Sequence, residues 1–406
     1  MNIWLVSKYA SPPKYAKVPP RLFLLGREMV KKGHKVSLIT SDSNQFANIP
    51  HSKNTYNDEI EDGVSIKWIK TKKYKKSASK ERVLSWFDFE IKMFRMKLKN
   101  MDKPDVVIIS SLSIFSIIYG YYLKKKYKSF LVFEIRDIWP LTMTEEGGFS
   151  KWHPLVLFIG MIEKFGYRKA DLIVGTMPKL DSHIETILGY SKPFFCSPLG
   201  FDIEKYADEN LLENNPFLKY KIKEKTIIGY AGSMGVTNAL DTYINTIKLM
   251  GNKKNIFFII LGSGALKESF EEQLKTYDNV FFLPRIKQSQ IKYFLEICDV
   301  LYLSTQDSKV WDYGQSMNKV VEYMLASKPI VATYTGFPSM INEANCGMFA
   351  KTNSPEDLKE ILLKYVNMTN KERVEIGKKG KDWIFKNRTY NKLAEEYLNA
   401  INKFNR

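Results

Sequence analysis

The residues best suited to chemistry lie in one stretch, Tyr313-Gly314-Gln315-Ser316-Met317-Asn318-Lys319-Val320-Val321-Glu322. Its glycine and serine make a flexible turn that opens a helix, and the free backbone N–H groups of a helix start can hold a diphosphate. Glu322 lies one turn beyond Asn318 and faces the same way. A carboxylate there can accept both hydroxyls of a ribose, because vicinal hydroxyls are donors that need paired acceptors. A lone glutamate on a helix is more simply a surface residue, so the assignment depends on what surrounds it.

Other candidates are spread along the chain. Asp137, in Arg136-Asp137-Ile138-Trp139-Pro140, follows an apolar run that reads as a buried strand. At a strand end it suits positioning of an acceptor hydroxyl or local acid–base work; it reads equally as a turn aspartate before Pro140. Gly262-Ser263-Gly264 ends another apolar run and is by itself a weak signal. Arg285, after Leu283-Pro284, is either a partner for an anion or a surface loop charge. There are four histidines and three cysteines, with no HExxH and no CxxC spacing, so metal hydrolase chemistry and a disulfide framework have little support. No DxD triplet occurs, although Asp202-Ile203-Glu204 and Asp88-Phe89-Glu90 approximate one.

The elements that must position these residues repeat as strand, loop and helix. In the first half, strands are expected at 2–7, 35–40, 63–70, 106–110, 130–135 and 172–175, with a helix at 21–32 ended by Gly33. In the second half they are expected at 226–231, 255–261, 279–283, 300–304 and 330–333. Apolar strands separated by helices imply a parallel sheet covered on both faces. The reading is α/β with two Rossmann-like domains, residues 1–205 and 206–382. An Asp-, Glu- and Asn-rich stretch near 205–222 separates them, and a last helix over 383–406 packs back on the first. Facing domains of this kind place their strand C-terminal ends at a shared cleft, where ligands bind in open α/β sheets.

Composition bounds the rest. A chain of 406 residues with 44% apolar residues suits two packed domains, and three scattered cysteines suit a reducing cytoplasm. Val106 to Leu123 is 18 residues without a charge, the lower limit for a membrane span, but its serines divide it into a strand, a loop and a helix. The net charge of +18 asks for an anionic partner. Basic residues cluster at 67–99 and 124–128, and between Arg82 and Lys99 they interleave with apolar ones. Such a helix either lies in an anionic headgroup layer, each cation adding up to about 1 kcal/mol, or packs on the core with a solvated basic face. Nucleic acid is not expected, since no recognisable reader fold is evident.

Together the 313–331 segment and several others resemble the family 4 glycosyltransferases of the GT-B fold. The branch most similar contains the N-acetyl-L-fucosaminyl transferases of O-antigen and capsule synthesis. Glu322 matches the second glutamate of the family's Glu-x(7)-Glu motif; Gly314 stands where the first would be. Ser316, Asn318 and Lys319 match a Ser-x-Asn/Ser-Lys element of that branch. Arg136 to Pro140 resembles its Asp-Leu-Trp-Pro element, Pro198 to Asp202 its interdomain element, and Gly232-Ser233-Met234-Gly235 the first loop of the nucleotide domain. The resemblance implies that Gly232, Gly262, Ser316, Asn318, Lys319 and Glu322 hold a UDP-sugar and that Asp137 acts in catalysis; Ser233 and Arg285 are expected in the same donor site from their own positions. The arginine and lysine that relatives carry near the first loop are replaced by Ser233 and Asn238, leaving Lys319 or Arg285 to neutralise the diphosphate. In place of a glycine-rich acceptor loop the chain has 11–17, with Lys14 and Lys17. The implied activity is metal-independent, retaining transfer to an undecaprenyl-diphosphate-linked saccharide by a cytoplasmic, peripherally membrane-bound enzyme needing no essential cofactor. A UDP-sugar epimerase of the same fold is the alternative, and its proton-shuttling histidines are sparse here.

Overall fold

The computed structural model describes residues 1–405 except 50, 51, 75–78, 100, 112, 207–212 and 223. They form two compact units, Met1–Asp202 with Arg388–Arg406, and Ile203–Asn387.

Unit 1 opens with β1 (Asn2–Val6), α1 (Arg21–Lys31), β2 (Lys35–Ser41), β3 (Tyr56–Glu61) and β4 (Val64–Ile69). There follow α2 (Lys80–Arg95), β5 (Val106–Ser110), α3 (Ser116–Tyr127), β6 (Phe130–Ile135) and α4 (Leu141–Glu145). The run closes with α5 (Pro154–Lys169), β7 (Leu172–Gly175), α6 (Leu180–Leu188) and β8 (Phe194–Cys196). The sheet order is β3-β4-β2-β1-β5-β6-β7-β8, parallel except for β3. β5 and β6 are buried along their whole length, as apolar strands covered on both faces must be. Neither the short β8 at one edge of this sheet nor, at the other, β3 was expected. β3 is an edge strand, where charged side chains are tolerated, and Asp62 (φ 48°) and Gly63 (φ 76°) turn it into β4.

The uncharged stretch at 106–123 becomes β5 and the first part of α3, and no described helix is long and apolar enough to cross a membrane.

Unit 2 runs through β9 (Thr226–Ser233), α7 (Asp241–Met250), β10 (Ile256–Ser263), α8 (Lys267–Leu274), β11 (Val280–Leu283) and α9 (Ile291–Ile297). It continues with β12 (Val300–Ser304), α10 (Asn318–Leu325), β13 (Ile330–Thr333), α11 (Met340–Glu343), β14 (Gly347–Ala350), α12 (Pro355–Asn367) and α13 (Asn370–Asn387). Its parallel sheet has the order β11-β10-β9-β12-β13-β14. The chain winds outward one way from β9 and the other way from β12. Those two strands therefore flank the switch point where open α/β sheets bind ligands.

The last helical stretch is two helices rather than one. Residues 383–387 close α13 within unit 2, and Thr389 caps α14 (Tyr390–Phe404) by accepting from the Lys392 N–H. Only α14 joins unit 1, where Leu393, Tyr397 and Ile401 enter the core around Leu22, Phe23 and Leu25 of α1. The first crossing lies at Asp202–Ile203, before the acidic stretch near 205–222. Part of that stretch, 207–212, is outside the described residues.

A buried ion pair ties α1 to the sheet. Arg21 Nη1 lies 2.7 Å from Glu134 Oε2, and neither side chain has exposed surface. Ser110 donates to the other Glu134 oxygen at 3.0 Å, and Arg21 Nη2 donates to the Ser197 carbonyl at 2.7 Å. Removing one partner strands a buried charge, which costs more than the pair itself contributes. Arg21→Met should therefore lower unfolding free energy in urea by about 3 kcal/mol or more, and Arg21→Met with Glu134→Leu should recover most of it. A single-variant loss below ~1 kcal/mol would place the pair among ordinary surface bridges.

Candidate functional site

The site in unit 2 begins with two glycines. β9 and β10 pair so that Gly232 stands opposite Gly262 and Ser233 opposite Ser263. A Cβ on Gly262 would stand 1.8 Å from the Gly232 carbonyl oxygen, and Gly262 has φ +151°. Only glycine meets both demands. A Cβ on Gly232 would stand 2.6 Å from Lys319 Nζ and 2.9 Å from the Tyr230 hydroxyl. The missing side chains thus let the Lys319 ammonium come down on the end of β9. It donates to the Tyr230 hydroxyl at 3.2 Å and to Asn238 Oδ1 at 3.3 Å, and it lies 4.4 Å from the Tyr230 ring centroid. Burial pulls the Lys319 ammonium down to about 8, with nearby Glu322 opposing the shift.

Lys319 is the second residue of α10, whose N-cap Met317 gives no side-chain hydrogen bond. The first backbone N–H groups of any helix lack partners within it, so this start presents N–H donors beside a cation. Ser316 and Asn318, half-buried, stand at the same helix start, and Ser233 is exposed at the end of β9. Glu322 lies one turn in. Burial pushes its carboxyl up to about 7, while Gln288 and Lys319 act against that. The Gln288 amide donates to Glu322 Oε1. Gln288 belongs to the 3-10 turn Gln288–Gln290 that follows β11. Arg285, in the same connection, is exposed and pairs with no described residue.

The structure therefore gathers Gly232, Gly262 and Lys319, with Ser233, Ser316, Asn318 and Glu322 on the adjoining strand end and helix start. Asn238, which the sequence placed beside the first loop, holds Lys319; Tyr230 and Gln288 are participants the sequence did not disclose. Tyr230 reads as core, and an amide in an irregular loop carries no signal.

Asp137 lies in unit 1, after β6. Burial raises its carboxyl above the ordinary range, and the positive charges of Arg136 and Arg82 oppose this. Nearby on α2, Arg82 Nε and Trp86 Nε1 both donate to the Tyr9 hydroxyl, at 3.2 and 2.6 Å, and Trp86 meets Trp139 edge to face at 5.7 Å. Lys14, from the segment in place of a glycine-rich loop, is committed to Glu59 and Glu61 at 2.5 and 2.6 Å. Among the described residues, no three His, Cys, Asp or Glu side chains gather to hold a metal ion.

Comparison with known proteins bears on both units. Residues 213–383 match the family model described as Glycosyl transferases group 1. The chain is similar to an uncharacterized glycosyltransferase, MJ1069, of Methanocaldococcus jannaschii, at 24% identity over 243 residues, 58% of this chain and 59% of that protein. The match thus spans a little over half of that relative's length. Among solved structures, Anabaena HepE in complex with UDP-glucose superposes with TM-score 0.66 at 12% identity, covering 99% of this chain and 100% of that one. WaaG, a glycosyltransferase involved in lipopolysaccharide biosynthesis, does so with TM-score 0.65 at 14% identity, covering 98% of each chain. The fold, with its two parallel-sheet α/β units, is that of the GT-B glycosyltransferases.

The glycine contact makes a differential prediction. Gly262→Ala should destabilise the protein by about 2 kcal/mol or more, since it combines a steric overlap with a disfavoured φ. Gly235→Ala, whose Cβ would meet only Ser233 Oγ at an ordinary 3.6 Å, should change stability by less than about 1 kcal/mol. Equal effects in thermal unfolding would contradict the packing described.

Proposed function

We propose that this chain is a glycosyltransferase that binds a UDP-sugar at the β9–α10 site and passes the sugar to a lipid-linked saccharide at an anionic membrane surface. The observation that carries the reading is the Lys319 ammonium, seated against Gly232 beside an uncapped helix start. Both features are aimed at a diphosphate, and both stabilise the charge that grows on it as the sugar leaves. Glu322 supplies the acceptor for the ribose hydroxyls, held in place by Gln288. In the reaction the bond from the anomeric carbon to the diphosphate breaks and one to the acceptor oxygen forms. The acceptor proton passes to the departing phosphate, on the face the leaving group vacates, which retains configuration. Asp137, beside Arg136 and Arg82, is assigned to the acceptor. The match to the group 1 model supports the transfer, and the Ser316–Lys319 element supports an N-acetylated deoxyhexosamine donor in surface polysaccharide synthesis.

The membrane surface is supported by unit 1. On α2 the buried face is Trp86, Phe89 and Met93, while Leu84, Phe87, Ile91 and Phe94 form a second, exposed stripe at helical spacing. The stripe continues onto α3 and α5: Phe87 and Phe158 each pack on Phe115, at 5.2 and 5.8 Å, and Phe94 lies 5.5 Å from Tyr122. Met161 is 63% exposed and Trp152 73%. Exposed Arg95, Lys97, Lys125, Lys126, Lys164 and Arg168 lie on or near the same elements. An apolar patch with a cationic border suits an anionic headgroup layer.

Two expectations follow for the donor site. Glu322 accepts ribose hydroxyls best while ionised, so UDP-sugar affinity should fall as pH drops through about 7. Lys319 gives up its charge as pH rises through about 8, so affinity should peak between these values. Glu322→Gln should lower affinity at pH 7.5 by about tenfold or more and remove the acidic limb in calorimetric titrations. An unchanged profile would take Glu322 out of the site. In the free protein the raised carboxyl acts on stability, which should decline as pH rises from the ordinary 4.5 through about 7.

For the membrane, changing Leu84, Phe87, Ile91 and Phe94 together to serine should abolish sedimentation with phosphatidylglycerol vesicles while the protein stays folded by circular dichroism. Full binding by that variant would mean the stripe does not face lipid.

A further inference from the structure

We infer that the Gln315 side-chain amide reads a pair of adjacent hydroxyls on the donor sugar, making it a specificity-determining residue of the β9–α10 site. The inference rests on the nucleotide-sugar reading above and adds to it the side chain that grips the sugar itself.

Gln315 is 5% exposed, and both its Oε1 and its Nε2 are buried without a hydrogen-bond partner among the described residues. Burying a carboxamide unmatched at both ends costs free energy, and native interiors rarely leave one so. Its surroundings make the orphan more conspicuous. In the loop from β12 to α10 the Ser308 hydroxyl accepts from the Val310 N–H at 3.2 Å, and the Trp311 indole donates to the Gln306 carbonyl at 2.9 Å. The Tyr334 hydroxyl donates to the Phe337 carbonyl at 2.8 Å. Gly314, with φ +102°, then turns the chain so that Gln315 falls between this anchored loop and the start of α10. A residue with a Cβ adopts that backbone only under strain.

The loop's other end points the same way. The Gln306 N–H donates to the Thr237 carbonyl at 3.1 Å, next to Asn238, which accepts from Lys319. The side-chain Oε1 of Gln306 is also buried and unpartnered. Two amides with unused hydrogen-bonding capacity thus bracket one loop at the C-terminal end of β12, next to the cation that meets the diphosphate.

The chemistry of the amide selects the ligand. A carboxamide offers an acceptor and a donor side by side and carries no charge. One sugar hydroxyl can donate to Oε1 while its neighbour accepts from Nε2. The substrate class is therefore a neutral pyranose with two adjacent free hydroxyls, in preference to a uronate, whose carboxylate would meet one amide donor and be repelled by the amide oxygen beside it.

The test is isothermal titration of the full chain with UDP and with a panel of UDP-glucose, UDP-galactose and UDP-N-acetylglucosamine. Gln315→Met should bind UDP within about twofold of the wild type, bind the best UDP-sugar of the panel about tenfold more weakly, and melt no lower. If both affinities fall together, or neither falls, Gln315 does not read the sugar. A lower melting temperature with both affinities unchanged makes it a structural residue and also overturns the inference. Gln315→Glu, which keeps the acceptor and loses the donor, should show the same selective loss and serves where the methionine variant does not fold. If the wild type binds neither UDP nor any of the three UDP-sugars, the UDP-sugar reading fails first and this one with it; if UDP binds and the variants do not separate UDP from UDP-sugar, only this one fails.

Discussion

The approach of two backbones without an intervening Cβ is the constraint on which the site in unit 2 depends. Gly262 lies against the Gly232 carbonyl, and Gly232 in turn leaves room for the Lys319 ammonium. Any side chain at either glycine would lift the cation away from the strand end or prise β10 from β9. The rest of the unit serves this contact. The sheet order places β9 beside β12 at the switch point, and the chain leaving β12 returns as α10 to deliver Lys319 across the gap. Tyr230 and Asn238 then fix the ammonium with hydrogen bonds and a ring face, so the charge is positioned before any ligand arrives.

Burial gives this arrangement its chemical character. It lowers Lys319 and raises Glu322, so two groups one helical turn apart move toward neutrality from opposite sides. A ligand carrying anionic oxygens toward one and hydroxyl donors toward the other restores the charged form of both. In unit 1 the same cost is met differently. Arg21 and Glu134 are fully buried but matched to each other, to Ser110 and to Ser197, which makes them a brace for α1 and the sheet.

Parts of this were legible in the sequence for physical reasons. Apolar runs of strand length separated by helical stretches specify parallel sheets, and the Gly314 to Lys319 turn before an amphipathic run marks a helix start that can face an anion. The partners of that start were not legible. Gly232 and Lys319 meet although they lie 87 positions apart in the chain, and Gln288 reaches Glu322 from an irregular turn. α2 shows a different limit. Its apolar residues fall on two stripes, one under Trp86, Phe89 and Met93 and one through Leu84, Phe87, Ile91 and Phe94. Periodicity alone makes such a helix apolar nearly all round, and only packing reveals which stripe the core takes. β3 was hidden because an edge strand needs no apolar alternation, and the break at Arg388-Thr389 because both flanking helices keep similar composition.

The central claim is that a nucleoside diphosphate sits where α10 begins. Amide hydrogen exchange of the full chain, measured with and without saturating UDP, GDP or TDP, locates the ligand directly. The account predicts that at least one of them slows exchange at 231–238, 262–264 and 314–322, and leaves α1 and α14 unchanged. Binding with no protection in those three segments would contradict it.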